Sequence, residues 1–128
     1  MTRMDSVPAV PPGAGEALGI PLVDRDLDQA VDVLRLLADP TRLQILVLLA
    51  DGELAVGDIA LALRRPVPVV SQHLAKLRAG HLVTARRDGT SMRYSQSTEH
   101  VGALVTNVLH HTEHVLYPEP PHHQTAAG

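Results

Sequence analysis

Residues 56–97 read VGDIALALRRPVPVVSQHLAKLRAGHLVTARRDGTSMRYSQS, and this stretch decides the fold. VGDIALAL predicts a short helix that ends in the basic, proline-containing stretch RRPVP. VVSQHLAKLRAG predicts a second helix, with Val70, Leu74 and Leu77 on its inner face and Gly80 at its C-terminal end. HLVTARR and SMRYSQS alternate in polarity on either side of Asp88-Gly89, a pair typical of tight turns, and therefore predict a β-hairpin.

Helices are also predicted on both sides of this stretch. An apolar spacing of three and four residues from Val23 onward predicts a first helix. Asp39 and Pro40 suit the cap and first turn of a second, nearly all-apolar helix that should be buried. EHVGALVTNVLHHTEHVL predicts a last helix of about five turns. We expect a flexible N-terminal arm (1–22), one folded domain (23–116) and a flexible tail (117–128).

The composition excludes several classes of protein. The 128 residues make one small domain, and the absence of cysteine leaves only nitrogen and oxygen ligands for a metal. No apolar run approaches the ~18 residues of a membrane span, and no basic stretch precedes a hydrophobic one at the N-terminus. We therefore expect a soluble cytoplasmic protein without a membrane partner. There is no H-E-x-x-H motif, no glycine-rich phosphate loop and little chain to enclose a small organic substrate, which argues against an enzyme and against the remote alternative of a hydrolytic metalloenzyme.

The charges are segregated along the chain, although the net charge is only −3. Residues 1–63 hold four basic and ten acidic side chains, residues 64–93 hold seven and one, and residues 94–128 hold none and three. An acidic total argues against nucleic acid as a partner, but the local excess of cations reverses that argument for residues 64–93.

Two short helices joined by a tight turn and followed by a basic hairpin form the winged helix-turn-helix arrangement, mainly α with a β-hairpin wing. LADPTRLQILVLLADGELAVGDIALAL and VSQHLAKLRAGHLVTARRDGTSMRYS resemble the ArsR/SmtB family of metal-responsive bacterial repressors, and the resemblance runs from about Leu34 to His114. It implies a homodimer in which the fourth helix reads an imperfect palindrome in double-stranded operator DNA.

The resemblance also implies DNA-contacting residues. Ser71 and Gln72 fall at groove-facing positions, and His81 falls near DNA in some members. Where the family commonly has Ser-x-Ser, this chain has Val67-Pro68-Val69, so base reading there is apolar, against thymine methyl groups, or shifts to Ser71 and Gln72. Arg86, Arg87 and Arg93 suit phosphate contacts. Lys76 fits a phosphate contact and a plain surface charge equally well, and His73 suits helix packing better than metal binding.

The last helix carries candidate metal ligands at both of its ends. At ~100° per residue, His100 and His111 share one face, Glu99 and His110 form a neighbouring stripe, and His114 lies between the two. At a rise of ~1.5 Å per residue, His100 and His111 are ~16 Å apart, far more than the ~4 Å across a metal ion with two ligands. One helix therefore cannot close the site. Two helices packed antiparallel would form two symmetric sites, so the spacing itself predicts a homodimer.

The family's site in this helix reads Asp-x-His-x10-His-x2-His, and Thr98, His100, His111 and His114 match it at three of four positions. Glu99 can supply the carboxylate that Thr98 lacks. The chain is most similar to the nickel- and cobalt-sensing KmtR/NmtR branch, in which tail residues, here His122 and His123, can add ligands.

Imidazole and carboxylate ligands suit Ni(II), Co(II) or Zn(II). The surplus of His110, His122 and His123 favours nickel or cobalt, which accept five or six ligands, and Zn(II) is the alternative. The predicted function is a repressor that holds its operator without metal and is released by Ni(II) or Co(II), derepressing a metal-efflux gene. A winged-helix regulator that senses no metal remains a further alternative.

Overall fold

The computed structural model describes Gly19 and residues 24–117. The predicted arm and tail lie outside these residues except for Gly19 and Tyr117, and so do His122 and His123. The elements follow the predicted order, with α1 at Asp24–Leu37, α2 at Pro40–Leu48 followed by a 3-10 turn, β1 at Leu54–Ala55, α3 at Val56–Leu63, α4 at Val67–Ala79, β2 at Val83–Asp88, β3 at Ser91–Gln96 and α5 at Glu99–Leu116. No helix within the described part of the chain is long and apolar enough to cross a membrane.

The start of α2 is fixed by the predicted cap. The backbone N–H of Arg42 donates to the Asp39 carboxylate at 2.9 Å, and Pro40 occupies the first turn, where its missing N–H costs nothing. This amide hydrogen bond, reinforced by the charges of Arg42 and His73, lowers the pKa of Asp39. His73 of α4 lies beside the cap, with its Nδ1 3.3 Å from the Arg42 guanidinium and 3.8 Å from the Asp39 carboxylate. His73 therefore joins α4 to α2, in agreement with the packing role predicted for it.

The sheet has one strand more than predicted. Its order is β1-β3-β2, and both pairings are antiparallel. A two-residue strand is too short to show an alternating pattern, which is why the sequence did not reveal β1. The expected turn is also displaced by one residue. Asp88 pairs with Ser91 inside the hairpin, so the two turn residues are Gly89 and Thr90, and Gly89 takes the positive φ of 64° that favours glycine at the first of them.

The core is aliphatic, as the composition predicts, and lies between α2, α3, α4, the sheet and the first half of α5. The three inward residues predicted for α4 are fully buried: Val70, Leu74 and Leu77. The core residues of α2 and its 3-10 turn are Ile45, Leu46 and Leu49. The apolar face of α1 is covered only in part, since Leu37 is buried while Leu27, Val31 and Leu34 are 45%, 42% and 54% exposed.

Two details of α4 differ from the prediction. The helix begins at Val67, two residues earlier than its apolar pattern indicates, because Pro68 fits the first turn of a helix. Gly80 ends the helix at an ordinary φ of −87°, and the left-handed residue is His81, with a φ of 63°. Gly80 packs closely against α1, since a Cβ there would lie 2.1 Å from Leu36 Cδ1 and the Leu36 side chain would have to move.

Replacing Gly80 by alanine should lower the free energy of unfolding by about 1–3 kcal/mol, because Leu36 must leave its rotamer or α1 must shift. Gly57→Ala is the matched control, since a Cβ there has no neighbour within 4 Å and a helical alanine is favoured by about 0.5–1 kcal/mol. Urea denaturation followed by circular dichroism measures both. Equal unfolding free energies for the two variants would contradict the contact between Gly80 and α1.

Candidate nucleic-acid interface and metal-ligand helix

The inner face of α4 is buried in the core, and its outer face lies at the surface of the described part of the chain. Val67, Gln72 and Lys76 are exposed, and Ser71 is half-buried. These are four of the residues predicted to approach DNA, and they lie on one helix, the element that fits a major groove. Val69 is also exposed, so the start of the helix presents two apolar side chains where the family commonly has serines.

The N-terminal end of α4 is poor in free amide groups. Prolines at positions 66 and 68 carry no N–H, and the amides of Val69 and Val70 donate to the Pro66 carbonyl at 3.1 and 3.2 Å. A helix N-terminus normally attracts anions through such amides. Here the positive charge beside a DNA phosphate has to come from side chains.

Arg64 and Arg65 supply cations at this point, and the sequence analysis did not assign them to DNA. They form the turn between α3 and α4, and both are exposed. The backbone of Arg64 is left-handed, with a φ of 55°. Backbone amides of this turn donate to carbonyl groups of α3, and these hydrogen bonds end the helix. The available signal was a pair of adjacent arginines directly before the recognition helix, which was interpreted only as a basic turn.

The wing, defined as β2, β3 and their turn, holds three arginines in two different environments. Arg86 and Arg93 are opposite each other on the two strands and both donate to Glu53. Arg86 makes a two-pronged contact, at 2.6 and 3.1 Å, and Arg93 makes a single contact at 3.2 Å. Arg87 is exposed and forms no ion pair within residues 24–117.

Glu53 is stabilised as an anion by these contacts. The hydrogen bond from Arg86 lowers the pKa of Glu53 most, and the charges of both arginines act in the same direction. Glu53 in turn raises the pKa of Arg86. Of the three arginines predicted to contact phosphate, two are therefore already paired within the chain.

His81 lies at the junction between α4 and the wing. Its side chain is exposed, and its backbone carbonyl accepts a hydrogen bond from the Ser97 hydroxyl at 2.6 Å. This contact ties the start of β2 to the segment that leads into α5.

The candidate metal ligands stand at the two ends of an unbroken α5. Glu99 and His100 are in the first turn, and His110, His111 and His114 are in the last two turns, all with exposed side chains. Within residues 24–117, no three carboxylate or imidazole side chains gather closely enough in one chain to hold a metal ion. Imidazole and carboxylate donors of this kind fit Ni(II), Co(II) or Zn(II) chemically, but within one chain the two groups of side chains lie at opposite ends of α5.

The structure also shows the surroundings of Thr98 and His110, at the two ends of this helix. Thr98 is the N-terminal cap residue of α5, and its hydroxyl makes no capping hydrogen bond. His110 borders an apolar cleft between α2 and α5 that is also lined by Val47 and Leu109. Beyond this cleft, the last two residues of α5, Val115 and Leu116, are each 64% exposed.

The fold and the exposed cations of α4 and the wing define a winged helix-turn-helix DNA-binding protein, which is a transcriptional regulator and not an enzyme. A family model described as "Bacterial regulatory protein, arsR family" matches residues 39–85. The chain is 46% identical over 108 residues to the HTH-type transcriptional regulator KmtR of Mycobacterium tuberculosis, covering 84% of this chain and 83% of that protein. The chain therefore belongs to the ArsR family of bacterial regulatory proteins.

Two further comparisons agree. The HTH-type transcriptional regulator NmtR of Mycobacterium tuberculosis is 38% identical over 95 residues, which are 74% of this chain and 79% of that protein. A solution structure of a homodimeric winged helix-turn-helix DNA-binding domain from Mycobacterium bovis superposes with a TM-score of 0.68 at 40% identity, covering 77% of this chain and 94% of that one. The predicted fold and family are thus confirmed.

Replacing Arg87 by alanine should weaken binding to DNA of any sequence and reduce the slope of log K against log salt by about 1, since one phosphate contact is lost. Fluorescence anisotropy with duplex DNA at several salt concentrations measures this. The control is Arg25→Ala, which removes an exposed cation from α1. An Arg87→Ala slope equal to that of the control would show that Arg87 does not contact phosphate.

Proposed function

We propose that the chain is a homodimeric repressor that binds operator DNA in its metal-free form and is released when Ni(II) or Co(II) binds between the α5 helices of the two subunits. The observation that carries this proposal is the division of one ligand set between the two ends of α5. The regulated gene would encode a metal exporter, and the protein would act in the cytoplasm, where the DNA is.

The uncovered apolar faces support the dimer. Large apolar side chains are exposed among the described residues on two helices: Leu27, Val31 and Leu34 on α1, and Val115 and Leu116 on α5. Burying such surface contributes roughly 25 cal/mol per Å². A symmetric pairing in which both α5 helices run antiparallel would cover these faces and bring opposite ends of the helices together.

In the proposed dimer, the two α4 helices occupy successive major grooves of an imperfect palindrome. Val67, Ser71 and Gln72 are proposed to read base edges, with Val67 suited to a thymine methyl group. Phosphate contacts are proposed for the following cationic or imidazole side chains of α4 and the wing: Lys76, His81, Arg86, Arg87 and Arg93. We add Arg64 and Arg65, because the two prolines leave little amide charge at the start of α4.

The proposed ligands are Glu99 and His100 of one subunit with His111 and His114 of the other. Glu99 would supply the carboxylate that Thr98 cannot, and His110, His122 and His123 would supply further donors. The bound ion would draw imidazole and carboxylate groups of two chains together through coordinate bonds. Because linkage is reciprocal, occupancy of this site and binding of the operator weaken each other by the same factor.

Zn(II) is the second candidate effector. Glu99, His100, His111 and His114 by themselves complete the four-coordinate set that zinc prefers. A tetrahedral cobalt spectrum together with a stronger allosteric response to zinc than to nickel would favour this alternative.

His111→Ala should leave the operator affinity of the metal-free protein near that of the wild type and abolish release by metal, because His111 lies on α5, away from α4 and the wing. Thr112→Ala, at an exposed position on a different face of α5, is the matched control and should respond to metal normally. The measurement is anisotropy of an operator duplex selected from a random library, under buffered free Ni(II). Release that persisted in His111→Ala would place the metal site elsewhere.

A further inference from the structure

Glu53 occupies the two wing arginines that a DNA backbone would otherwise engage. We propose that Glu53 is an internal substitute for DNA phosphate, which lowers the affinity of the wing for DNA of any sequence. This inference rests on the proposed DNA contacts of the wing. It assigns a function to a carboxylate outside both the recognition helix and the metal-ligand helix.

The geometry supports an exchange of Glu53 for phosphate. Arg86 places Nε and one terminal nitrogen on the two carboxylate oxygens of Glu53, at 3.1 and 2.6 Å. A guanidinium group binds a phosphate with the same fork of two parallel N–H bonds. A phosphate that takes this fork has to displace Glu53, because the same two N–H groups cannot serve both anions. The Arg86 side chain is 59% exposed, which leaves it accessible to an incoming backbone.

The position of Glu53 is set by the backbone on either side of it. Gly52, with a φ of 142°, precedes it, and β1 follows it directly. Within β1, Ala55 pairs with Arg93 of β3, so the chain carrying Glu53 is hydrogen-bonded to the edge of the wing. The Glu53 side chain is only 30% exposed and is held between Arg86 and Arg93. The backbone therefore places the Glu53 carboxylate beside both of these arginines of the wing.

The charges around Arg86 favour the same conclusion. Asp88, at the end of β2, is a second negative charge near Arg86, and it also raises the pKa of Arg86. The three arginines of the wing are thus opposed by two carboxylates, and only Arg87 has no ion pair within the described residues. An exposed ion pair of this kind contributes little to folding stability, so removing the Glu53 charge should leave the fold intact.

The salt dependence of DNA binding distinguishes an exchange from a simple contact. When an unpaired arginine meets a phosphate, about 0.9 counterion is released per contact. When Arg86 leaves Glu53 for a phosphate, the freed carboxylate stays beside the DNA as an unpaired negative charge and offsets the positive charge that Arg86 brings. Removing the Glu53 charge should therefore add about 0.9 to the slope of log K against log salt. If the two proteins converge at about 1 M salt, that slope corresponds to binding about eightfold tighter at about 0.1 M.

The test compares the full chain with Glu53→Gln on a fluorescent duplex of about 30 random base pairs, between about 50 and about 200 mM KCl. We expect tighter binding and a steeper slope for Glu53→Gln. Asp51→Asn is the matched control, because it removes the same charge from an exposed position two residues away that has no ion pair within residues 24–117. Circular dichroism verifies the fold of each variant.

Arg86→Ala provides a second readout that does not depend on the folding of Glu53→Gln. It should weaken binding to the random duplex in both backgrounds, but by a larger factor in the Glu53→Gln background, where it should cancel the gain. Weaker binding by Glu53→Gln would show that Glu53 aims Arg86 at DNA, and a change equal to that of Asp51→Asn would show a general charge effect. Either result would overturn the inference while leaving the proposed repressor intact. A wild-type chain that bound no duplex would overturn both.

Discussion

The fixed length of α5 is the constraint on which the account of this protein depends. An unbroken helix over Glu99–Leu116 keeps His100 in its first turn and His111 and His114 near its end, and helical geometry leaves no way to join them within one chain. Val115 and Leu116, at the end of the same helix, are each 64% exposed. In the proposed dimer, a second copy packed antiparallel brings the two groups of histidines together and covers these apolar residues. On this account, dimerisation, spacing of the two recognition helices and metal binding all depend on one pair of helices.

The positive charge of the molecule is concentrated in one part of the chain. A chain with a net charge of −3 places seven of its eleven basic residues within residues 64–93, on α4, the turn before it and the wing. Even there the count overstates the charge available to DNA, because Glu53 is paired with Arg86 and Arg93. The prolines at the start of α4 remove amide donors, so Arg64 and Arg65 contribute more of the positive charge at this point. The positive charge that this surface can offer to DNA is therefore lower than the number of basic residues suggests.

The sequence predicted every helix and the hairpin, because each has strong local signals: the Asp39 cap, the apolar spacing of α4 and the alternation around Gly89. It missed β1, whose two residues are identified only by pairing with β3. It placed the turn one residue too early, because Asp88-Gly89 is typical of a turn but does not show which residue of the opposite strand each one pairs with. The pairing of Glu53 with arginines 33 and 40 residues away is likewise a tertiary contact without a local signature. The metal-ligand set proposed for α5 rests on helical spacing, which is a local property, and it stays a prediction.

The claim that the metal site is shared between subunits is tested most directly by mixing two defective proteins. His100→Ala and His111→Ala each remove one ligand from both sites of a homodimer. A mixed dimer has one site that lacks both ligands and one that is complete. After subunit exchange of equal amounts, the account predicts that roughly one quarter of the wild-type high-affinity Ni(II) sites return, in a titration where each variant alone shows none. If no such sites return in a mixture that has exchanged subunits, the ligands of one site come from a single chain, and the account is wrong.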